Sequence, residues 1–514
     1  MRSSDLLLEP VKKYRTSINP PYKRKDLISI IGTLFILLAL PLTVFVATKV
    51  RPWGPRAAGT AAAPTNTASI IEPGSMVTEA NYVIFIDGSS YYAKNGKTGE
   101  IQFSGTDAAN VIQLALNAIP QGGVVQLTEG LFQCSVAFTV GAAQTLRGVG
   151  EDSTTVQLKT ADATVNLGTN KDLGHLASLE YLKVIGGDAN GGGRYANNLV
   201  TVKSQYHRIN RVRLGETAQG GTALRIEVGN ASRYSNLYID EAAYGIDVVT
   251  GGSYDQTFDF VDIGTRNTKD IQTLPKVGLR IAQNSGSMFF RYLSIWGFED
   301  DVLLENGAGE IYVSQPMIWG ARHHAIHISG GAYNIYFHDG RIGAGSMDAA
   351  NTYPDVLIEN NGDTVKNIGF YNCQFQRDDT AGNPTRAIQV NASGSGTRGP
   401  IIIQGNVFTN WDSVSKVPVY IGSGWTTVIR DNIGFATENS GTATIASGST
   451  YVDVSHGLSA ALSAKDISIT PTGSLAHGTT FWVSNIGASS FRINVDTAPG
   501  TGISYTFAWK AEAM

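Results

Sequence analysis

The sequence has little cysteine and little charge. Only Cys134 and Cys373 occur among its 514 residues. Each lies in a strand-like stretch, so we interpret both as buried free thiols and not as parts of a disulfide scaffold. Charged residues make up 16% of the chain, whereas there are 58 glycines, a balance typical of many tight turns and few long helices. Motifs for nucleotide binding, zinc binding and a nucleophile elbow are missing.

The formal net charge of −4 conceals an asymmetry along the chain. Residues 1–26 hold seven basic and three acidic side chains. From Arg51 onward there are 31 basic residues (39 less the eight up to Lys49) and 40 acidic ones (43 less three), a net charge of −9. An acidic exterior argues against nucleic acid as a partner.

One long apolar run interrupts this composition. Residues 27–48 carry no charge and are numerous enough to span a bilayer. The basic excess of residues 1–26 predicts a cytoplasmic N-terminus, with everything after the run outside the cell membrane. We therefore expect a single-pass signal anchor, followed by a flexible Ala-, Thr- and Pro-rich tether over residues 49–78. A cleaved signal peptide is the alternative interpretation.

Between residues 179 and 434 a six-residue pattern, apolar-x-x-apolar-x-apolar, recurs at intervals of 23 to 33 residues. A second, offset series of short stretches alternates apolar and polar residues, as strands with one buried face do. Units this short cannot bury a face alone and must stack, which predicts a right-handed parallel β-helix with rungs about 4.8 Å apart. The copies of the six-residue pattern are Leu179–Val184, Ile209–Leu214, Tyr234–Ile239, Phe258–Ile263, Phe290–Ile295, Val313–Ile318, Phe337–Ile342, Phe370–Phe375, Ile403–Phe408 and Ile429–Gly434.

A helix is predicted ahead of the repeats. Thr106 or Asp107 would cap it, apolar residues recur along one side from Val111 to Ile119, and Pro120 would end it. A strand with paired glycines follows, and then the stretch from Leu146 to Leu158, which has the form L-x-G-x-G with a later threonine-rich strand.

This order resembles the start of pectate-lyase-like β-helices, including rhamnogalacturonase-like and epimerase-like members and many phage tailspikes. The resemblance covers about residues 96–435 and implies an all-β coil whose open end is covered by the helix. It does not imply one activity, because this fold hosts lyases, hydrolases, epimerases and fibres without enzymatic activity. We place the coil at residues 79–435.

Residues 436–514 lose the repeat and show short alternating runs separated by Gly, Ser and Pro. This pattern predicts a small C-terminal β-sandwich. Val454–Leu458 and the closing Phe507–Trp509 resemble C-terminal modules of tail-fibre and surface proteins, which serve attachment or assembly.

Stacking the copies predicts which residues are neighbours. At an offset of 23 residues Trp296 overlies Trp319, and two stacked indoles would form a platform for sugar rings. Nearby charged and polar groups could orient hydroxyls or transfer protons, although stacked aromatics and neutralised charges also occur as plain packing. Our candidates are Trp296, Trp319, Arg291, Arg322 and Tyr371 for substrate binding, and Asp300, Asp301, His323, His338 and Asp339 for catalysis.

The activity signatures of the family are missing. A polygalacturonase would need Gly-His-Gly and Arg-Ile-Lys after its paired aspartates, and neither follows Glu299–Asp301. Pectate lyases combine a Ca²⁺ carboxylate cluster with an arginine base, whereas Arg322, Asp339 and Arg341 stand outside such a context. Gly187–Gly191 lacks the later carboxylates of a Ca²⁺ loop and is interpreted as a turn. We expect no cofactor and no metal site; Ca²⁺ is compatible with the fold but has no motif here.

Together these patterns predict a membrane-anchored extracellular protein that binds an acidic or neutral polysaccharide. Whether it also degrades or modifies the polymer, as a polysaccharide lyase or glycoside hydrolase, stays open at this point. The alternative is a non-catalytic surface stalk or adhesin, homotrimeric like tailspikes.

Overall fold

The structure is a computed structural model. It describes residues 79–512 except 172, 189–192, 250, 252, 266–275, 378–382, 393–394, 412–416, 459–461 and 477–478. The predicted cytoplasmic tail, anchor and tether lie outside the described residues. Among the residues that are described, no helix is both long and apolar enough to cross a membrane.

Most described residues belong to two large sheets of short strands. The first sheet contains 21 strands: β1 (Tyr82–Asp87), β2 (Ser90–Asn95), β3 (Ile101–Gly105), β4 (Gly123–Leu127), β5 (Gly130–Cys134), β7 (Gln144–Arg147), β8 (Thr154–Leu158), β10 (Ser178–Ile185), β12 (Arg208–Gly215), β14 (Arg233–Asp240), β16 (Gln256–Gly264), β18 (Gly286–Trp296), β20 (Gly309–Ser314), β21 (Met317–Trp319), β23 (Tyr333–His338), β24 (Arg341–Gly343), β26 (Lys366–Tyr371), β27 (Gln374–Gln376), β29 (Pro400–Gln404), β30 (Val407–Thr409) and β32 (Thr426–Arg430). The second sheet contains 11 strands: β6 (Phe138–Val140), β9 (Val165–Leu167), β11 (Asn198–Lys203), β13 (Thr222–Val228), β15 (Tyr244–Val248), β17 (Val277–Ile281), β19 (Asp300–Leu304), β22 (His324–Ser329), β25 (Val356–Glu359), β28 (Ile388–Asn391) and β31 (Val419–Ile421).

Pairing between successive rungs is parallel and keeps the predicted register. Phe258 pairs with Phe290, and Phe290 with Val313. Val313 pairs with Phe337, and Phe337 with Phe370. The copies of the six-residue pattern therefore lie directly over one another, and the parallel β-helix is confirmed.

A left-handed backbone bend explains why the second and third places of the pattern both face outward. The third residue of each copy has positive φ, as in Tyr292 (57°), Gln315 (54°), Asp339 (61°) and Asn372 (51°). Such a residue inserts an extra position at the bend, so the fourth place points inward again. The bend divides the first sheet into two faces, and from β20 and β21 onward the two faces are separate strands.

A second column of left-handed residues lies five residues earlier, at Ser287, Glu310, Asn334 and Asn367. Between the two bends each rung has four extended residues, two pointing inward and two pointing outward. We call this surface the front face; it comprises residues 288–291, 311–314, 335–338 and 368–371, together with the equivalent residues of the other rungs.

The interior of the coil is one continuous apolar cluster from Tyr82 to Phe435. Aromatic residues at the first place of the pattern stack on each other, and the ring centroids of Tyr234 and Phe258 and of Phe258 and Phe290 are each 4.4 Å apart. Each such pair contributes about 0.5–1.5 kcal/mol beyond its burial. Cys134 and Cys373 are buried free thiols, as predicted.

A short helix packs against the first strands of the coil. Helix α1 spans Ala108–Asn117, and the Asp107 carboxylate caps it by accepting a hydrogen bond from the Ala109 amide at 2.8 Å. Its apolar side, which includes Val111 and Leu116, is fully buried. The predicted capping helix is confirmed, and it covers the apolar end of the coil.

Six further strands follow the coil and have an apolar cluster of their own, from Ile445 to Ala511. They form two three-stranded antiparallel sheets, β33–β38–β35 and β34–β37–β36. Their bounds, with those of a short 3₁₀ helix, are β33 (Glu438–Ile445), β34 (Tyr451–Ser455), η1 (Ala464–Asp466), β35 (Ile467–Pro471), β36 (Phe481–Ser484), β37 (Ser490–Val495) and β38 (Tyr505–Glu512).

Removal of a ring from the interior stack should destabilise the coil. We expect Phe258→Ala to lower the free energy of unfolding by about 3–5 kcal/mol, because it leaves a cavity between two aromatic neighbours. The change is measured as a shift of the urea midpoint. Phe260→Ala is the matched control, since Phe260 is half exposed and lies two residues away; an equal shift in both variants would contradict the stacking argument.

Candidate functional site

The front face presents two outward columns that run along the coil. In β18 the inward residues Met288 and Phe290 alternate with the outward residues Phe289 and Arg291. The next rung presents Tyr312 and Ser314, and the one after it Tyr336 and His338. Because pairing is in register, residues of one column are neighbours about 4.8 Å apart.

The first column is an aromatic ladder. The rings of Phe289 and Tyr312 are 5.2 Å apart and nearly parallel, and those of Tyr312 and Tyr336 are 5.4 Å apart. Phe289 is 49% exposed and Tyr312 is 37% exposed. Three large rings therefore share one solvent-facing surface. Contiguous exposed apolar side chains of this kind commonly mark a binding surface.

Tyr371 extends the ladder by a fourth ring. It belongs to the second column, where it pairs with His338, but the first-column position beside it is Gly369. A side chain at position 369 would collide with the Tyr371 ring, since a Cβ there would lie 2.5 Å from Tyr371 Cε2. The missing side chain lets Tyr371 lean toward Tyr336, and their ring centroids are 6.3 Å apart. We call Phe289, Tyr312, Tyr336 and Tyr371 the aromatic ladder.

Polar groups of the second column flank the ladder. The Arg291 guanidinium binds the Asp259 carboxylate of the preceding rung through two hydrogen bonds, of 2.8 and 2.5 Å. This pair is close to neutral as a whole, and it leaves the guanidinium largely exposed beside Phe289. It can hydrogen-bond hydroxyl groups of a ligand without adding net charge.

His338 forms a hydrogen-bonded chain with two residues of the neighbouring bend. Its Nδ1 lies 3.1 Å from Asp339 Oδ2, and the Asn372 amide donates a hydrogen bond to Asp339 Oδ1 at 3.2 Å. Hydrogen bonds from His338 and Asn372 lower the pKa of Asp339 below its ordinary value. The Asp339 carboxylate thus orients the imidazole, whose Nε2 has no hydrogen-bond partner among the described residues.

The two tryptophans are one rung apart but do not form a joint platform. The Trp296 indole lies back over Gly264 of the preceding rung, where an added Cβ would meet it at 2.2 Å. The Trp319 ring instead contacts Arg341, whose guanidinium carbon is 3.9 Å from the ring centroid. Trp296 and Trp319, both of which the structure describes, make no ring contact with each other. The stacked pair expected from the sequence is therefore replaced by two separate aromatic contacts.

Asp300 lies on another face of the coil, at the start of β19. Its carboxylate is 3.4 Å from Nδ1 of His327, and Glu359 is 3.3 Å from Nε2 of the same ring. Burial lowers the pKa of His327, but hydrogen bonds and charge from Asp300 and Glu359 outweigh it, so the pKa lies above the ordinary value. Both ring nitrogens are therefore engaged within the protein.

The turn before β22 holds His323 and Arg322. The His323 ring stacks on Tyr353 at 4.1 Å, and its Nδ1 is 3.3 Å from Glu299. Arg322 pairs with Asp348 at 2.8 Å. The turn that holds Glu299 and Asp300 lies on the preceding rung, where Asp300 pairs with His324. The charged side chains Arg322 and His323 are thus engaged with Asp348 and Glu299, away from the ladder.

Asp301 lies inside the coil and is fully buried. It accepts a hydrogen bond from the Phe298 amide at 3.1 Å, and burial raises its pKa well above the ordinary value. Asp355 is the same kind of residue two rungs later; it accepts from the Gly345 amide at 2.7 Å, and burial raises its pKa to about 8. Each of these carboxyls stabilises a turn by accepting a hydrogen bond from a backbone amide. Because Asp301 is fully buried, a ligand on the surface cannot contact it.

The structure thus brings four of the ten predicted residues together: Arg291, His338, Asp339 and Tyr371. Three members of the aromatic ladder were missed, namely Phe289, Tyr312 and Tyr336. The signal was present in the sequence, since each of them directly precedes a copy of the six-residue pattern. Within the described residues no group of three or more His, Cys, Asp or Glu side chains is placed to hold a metal ion.

Comparisons with known proteins concern the fold. No protein-family profile and no curated protein matches the chain. Similar solved structures include the A-module of mannuronan C-5 epimerase AlgE6 from Azotobacter vinelandii, with 14% identity, a TM-score of 0.47, and coverage of 64% of this chain and 95% of that chain. The tailspike protein gp49 from Pseudomonas phage LKA1 has 11% identity, a TM-score of 0.48, and coverage of 78% and 92%.

DFA-IIIase from Arthrobacter chlorophenolicus A6, without its lid, has 12% identity, a TM-score of 0.47, and coverage of 64% of this chain and 94% of that chain. These likenesses add nothing to the parallel β-helix implied by the sequence resemblance, which the parallel pairing of successive rungs already shows. At such identities the chemistry of these proteins is not transferred to this chain.

The buried carboxyls make stability depend on pH in a defined direction. The folded-state pKa of Asp355, about 8, lies above its ordinary value of 3.8, so between these values only the unfolded state loses the proton. Stability should fall as pH rises through this window. We expect Asp355→Asn to match the parent near pH 4 and to exceed it at pH 8 by a few kcal/mol.

Chemical denaturation at a series of pH values measures this difference between variant and parent. Asp363→Asn is the control, since it removes the same charge from an exposed position. A pH-independent difference for Asp355→Asn would contradict a protonated interior carboxyl.

Proposed function

We propose that this protein binds an extended polysaccharide along the front face of its coil, with the aromatic ladder as the main contact. The observation that carries the proposal is the ladder itself, in which three rings in register and the adjacent Tyr371 ring share one partly exposed surface. Sugar rings pack their C–H faces on aromatic surfaces, and a column with one ring per rung suits a polymer that lies along the coil axis. Arg291, Ser314 and His338 supply hydrogen-bonding groups at the edge of the same surface.

The position of His338 and Asp339 supports a further part of this proposal, namely processing of the bound polymer. An imidazole held at Nδ1 by an ionised carboxylate is equipped for general acid–base chemistry. Asp300, Asp301, His323 and Arg322 lie away from the ladder, so we propose that they maintain the turns. Trp296 lines a shallow cleft with Tyr238, Asp240 and Asp262, and we assign it no contact with the ladder ligand.

We also propose that residues 27–48 anchor the coil at the outside of the cell membrane, with residues 1–26 in the cytoplasm. The supporting observations are the length of the uncharged run and the basic residues that precede it. In this arrangement the front face would meet polysaccharide of a cell surface or its surroundings.

Removal of a central ring should weaken polysaccharide binding. We expect Tyr312→Ala to reduce affinity about tenfold, because loss of one aromatic contact costs roughly 1–1.5 kcal/mol. The measurement is a glycan array followed by calorimetric titration of the polysaccharides retained. Tyr420→Ala is the matched control, since Tyr420 is an exposed tyrosine on the second sheet.

Equal affinity of Tyr312→Ala and parent for every bound glycan would overturn the proposal. The same incubations report processing, through unsaturated products or new reducing ends. His338→Ala should abolish such products while binding persists, whereas silence of the parent on uronate and neutral glycans would leave a binding protein without enzymatic activity.

A specific surface favours a second candidate function, a self-associating stalk or adhesin. At the C-terminal rungs Val407 and Ile433 form an outward apolar column, and Ile433 is 68% exposed. Exposed apolar columns of this kind commonly mark contacts between chains. We propose a homotrimer for this case, in which the C-terminal module assists assembly.

Solution mass tests the second candidate. If the column joins three chains, Ile433→Asp should convert a trimer to a monomer, because it buries an unpaired charge at each contact. Light scattering gives the mass of parent and variant, with Ile503→Asp in the C-terminal module as an exposed control. A monomeric parent refutes the trimer and leaves polysaccharide binding unaffected.

A further inference from the structure

The first column of the front face continues beyond the aromatic ladder toward the N-terminal end of the coil. Phe289 pairs with Thr257, Thr257 with Arg233, and Arg233 with Arg208. Both arginine side chains point outward and are exposed. A ligand that lies on the ladder and extends in this direction therefore meets two guanidinium groups on adjacent rungs.

Neither guanidinium has a hydrogen-bond or ion-pair partner among the residues that the structure describes. The second column on these two rungs holds the uncharged residues Asn210 and Ser235. The nearest carboxylates of that column lie on the rungs before and after, and both are engaged elsewhere. Glu180 pairs with Arg147 at 3.4 Å, and Asp259 binds Arg291. Arg208 and Arg233 therefore present uncompensated positive charge on an otherwise acidic chain.

Two like charges directly opposite each other on neighbouring strands, about 4.8 Å apart along the sheet, destabilise the pairing. Several other arginines of the coil are neutralised across rungs, as Arg213 is by Asp240 and Arg280 is by Glu305. The Arg208–Arg233 pair lies in the same column as the exposed rings. A bound anion would remove the repulsion, and guanidinium groups match carboxylate and sulfate oxygens with paired hydrogen bonds.

We propose that Arg208 and Arg233 form an anion subsite of the front face, and that its ligand is an acidic polysaccharide bearing carboxylate or sulfate groups. This inference rests on the proposed function and specifies the class of glycan. The acidic group binds two to three rungs before Phe289, roughly 10–14 Å along the coil. The C–H faces of sugar rings further along the polymer pack on the ladder itself.

The charges also differ between the two ends of the ladder. The arginine pair lies at the N-terminal end of the ladder, whereas Asp339 lies beside Tyr336 and Tyr371 near its other end. An acidic group is attracted at the first position and repelled at the second. Acidic groups are therefore favoured at the arginine pair over the position beside His338, where proton transfer is proposed.

Polymers that differ only in charge test this subsite. The first pair is polygalacturonate and its carboxyl-reduced form, and the second is dextran sulfate and dextran. We expect the double variant Arg208→Gln/Arg233→Gln of the full chain to bind the preferred acidic polymer roughly ten- to a hundredfold more weakly. Its affinity for the neutral partner should equal that of the parent. Salt should weaken acidic binding in the parent and much less in the variant.

The controls separate this charge effect from a general one. Lys97→Gln removes a positive charge from an exposed turn and should leave all affinities unchanged. Arg208→Lys/Arg233→Lys retains the charge and should recover part of the acidic preference while losing paired hydrogen bonds. Thermal unfolding of each variant verifies the fold, and binding of the neutral polymer verifies the ladder.

Two results would overturn the subsite: equal acidic binding by the double variant and the parent, or equal parental affinity for both members of each polymer pair. In either case a loss of binding in Tyr312→Ala would still uphold the ladder. If Tyr312→Ala changes no affinity while the double variant loses acidic binding, the arginine subsite stands and the ladder does not.

Discussion

The parallel register between successive rungs is the constraint on which the remaining features depend. Strand side chains alternate between the two sides of the sheet, so a slip of one residue would turn every inward residue outward. The left-handed bends add a second condition, since non-glycine residues such as Tyr292 and Asp339 occupy a conformation that costs roughly 1–2 kcal/mol each. Backbone hydrogen bonds between the strands of successive rungs, together with the packing of the interior side chains, offset that cost because both recur along the coil.

The same alternation that builds the core also builds the surface. Phe290 and Phe289 are consecutive residues, yet one joins the stack of Tyr234 and Phe258 inside the coil and the other joins the ladder with Tyr312 outside it. Because successive rungs pair in register, equivalent residues form columns along the coil, with neighbours separated by the distance between two strands. A ligand with a repeating structure along one axis is the natural match for a surface with a repeat along the same axis.

Charge on the coil follows two different arrangements. On many rungs acidic and basic side chains neutralise each other. Examples are His327 with Asp300 and Glu359 on the second sheet, and Arg291 with Asp259 on the front face. Such pairs lie partly in water and contribute little to stability individually. Arg208 and Arg233 depart from this arrangement, and the departure lies in line with the exposed rings. Local exceptions to otherwise consistent patterning are where function is expected to lie.

The fold and part of the site could be predicted from the sequence because both depend on spacing. Repeat intervals place Trp296 one rung before Trp319 and His338 beside Tyr371, and the amphipathic stretch after Asp107 specifies the capping helix. The same spacing places Phe289, Tyr312 and Tyr336 one residue ahead of three consecutive pattern copies. Because strand side chains alternate, the residue before an inward position points outward, so these three rings also follow from the repeat.

Spacing along the chain thus determined the coil, its register and the order of residues within each column. Only the tertiary structure decided the directions and surroundings of individual side chains. It turned Trp296 toward Gly264 and Trp319 toward Arg341 and enclosed Asp301. It also left Arg208 and Arg233 without partners among the described residues. The physical reason is that a rotamer, a buried carboxyl and an ion pair depend on the side chains and turns of neighbouring rungs, which the local pattern does not specify.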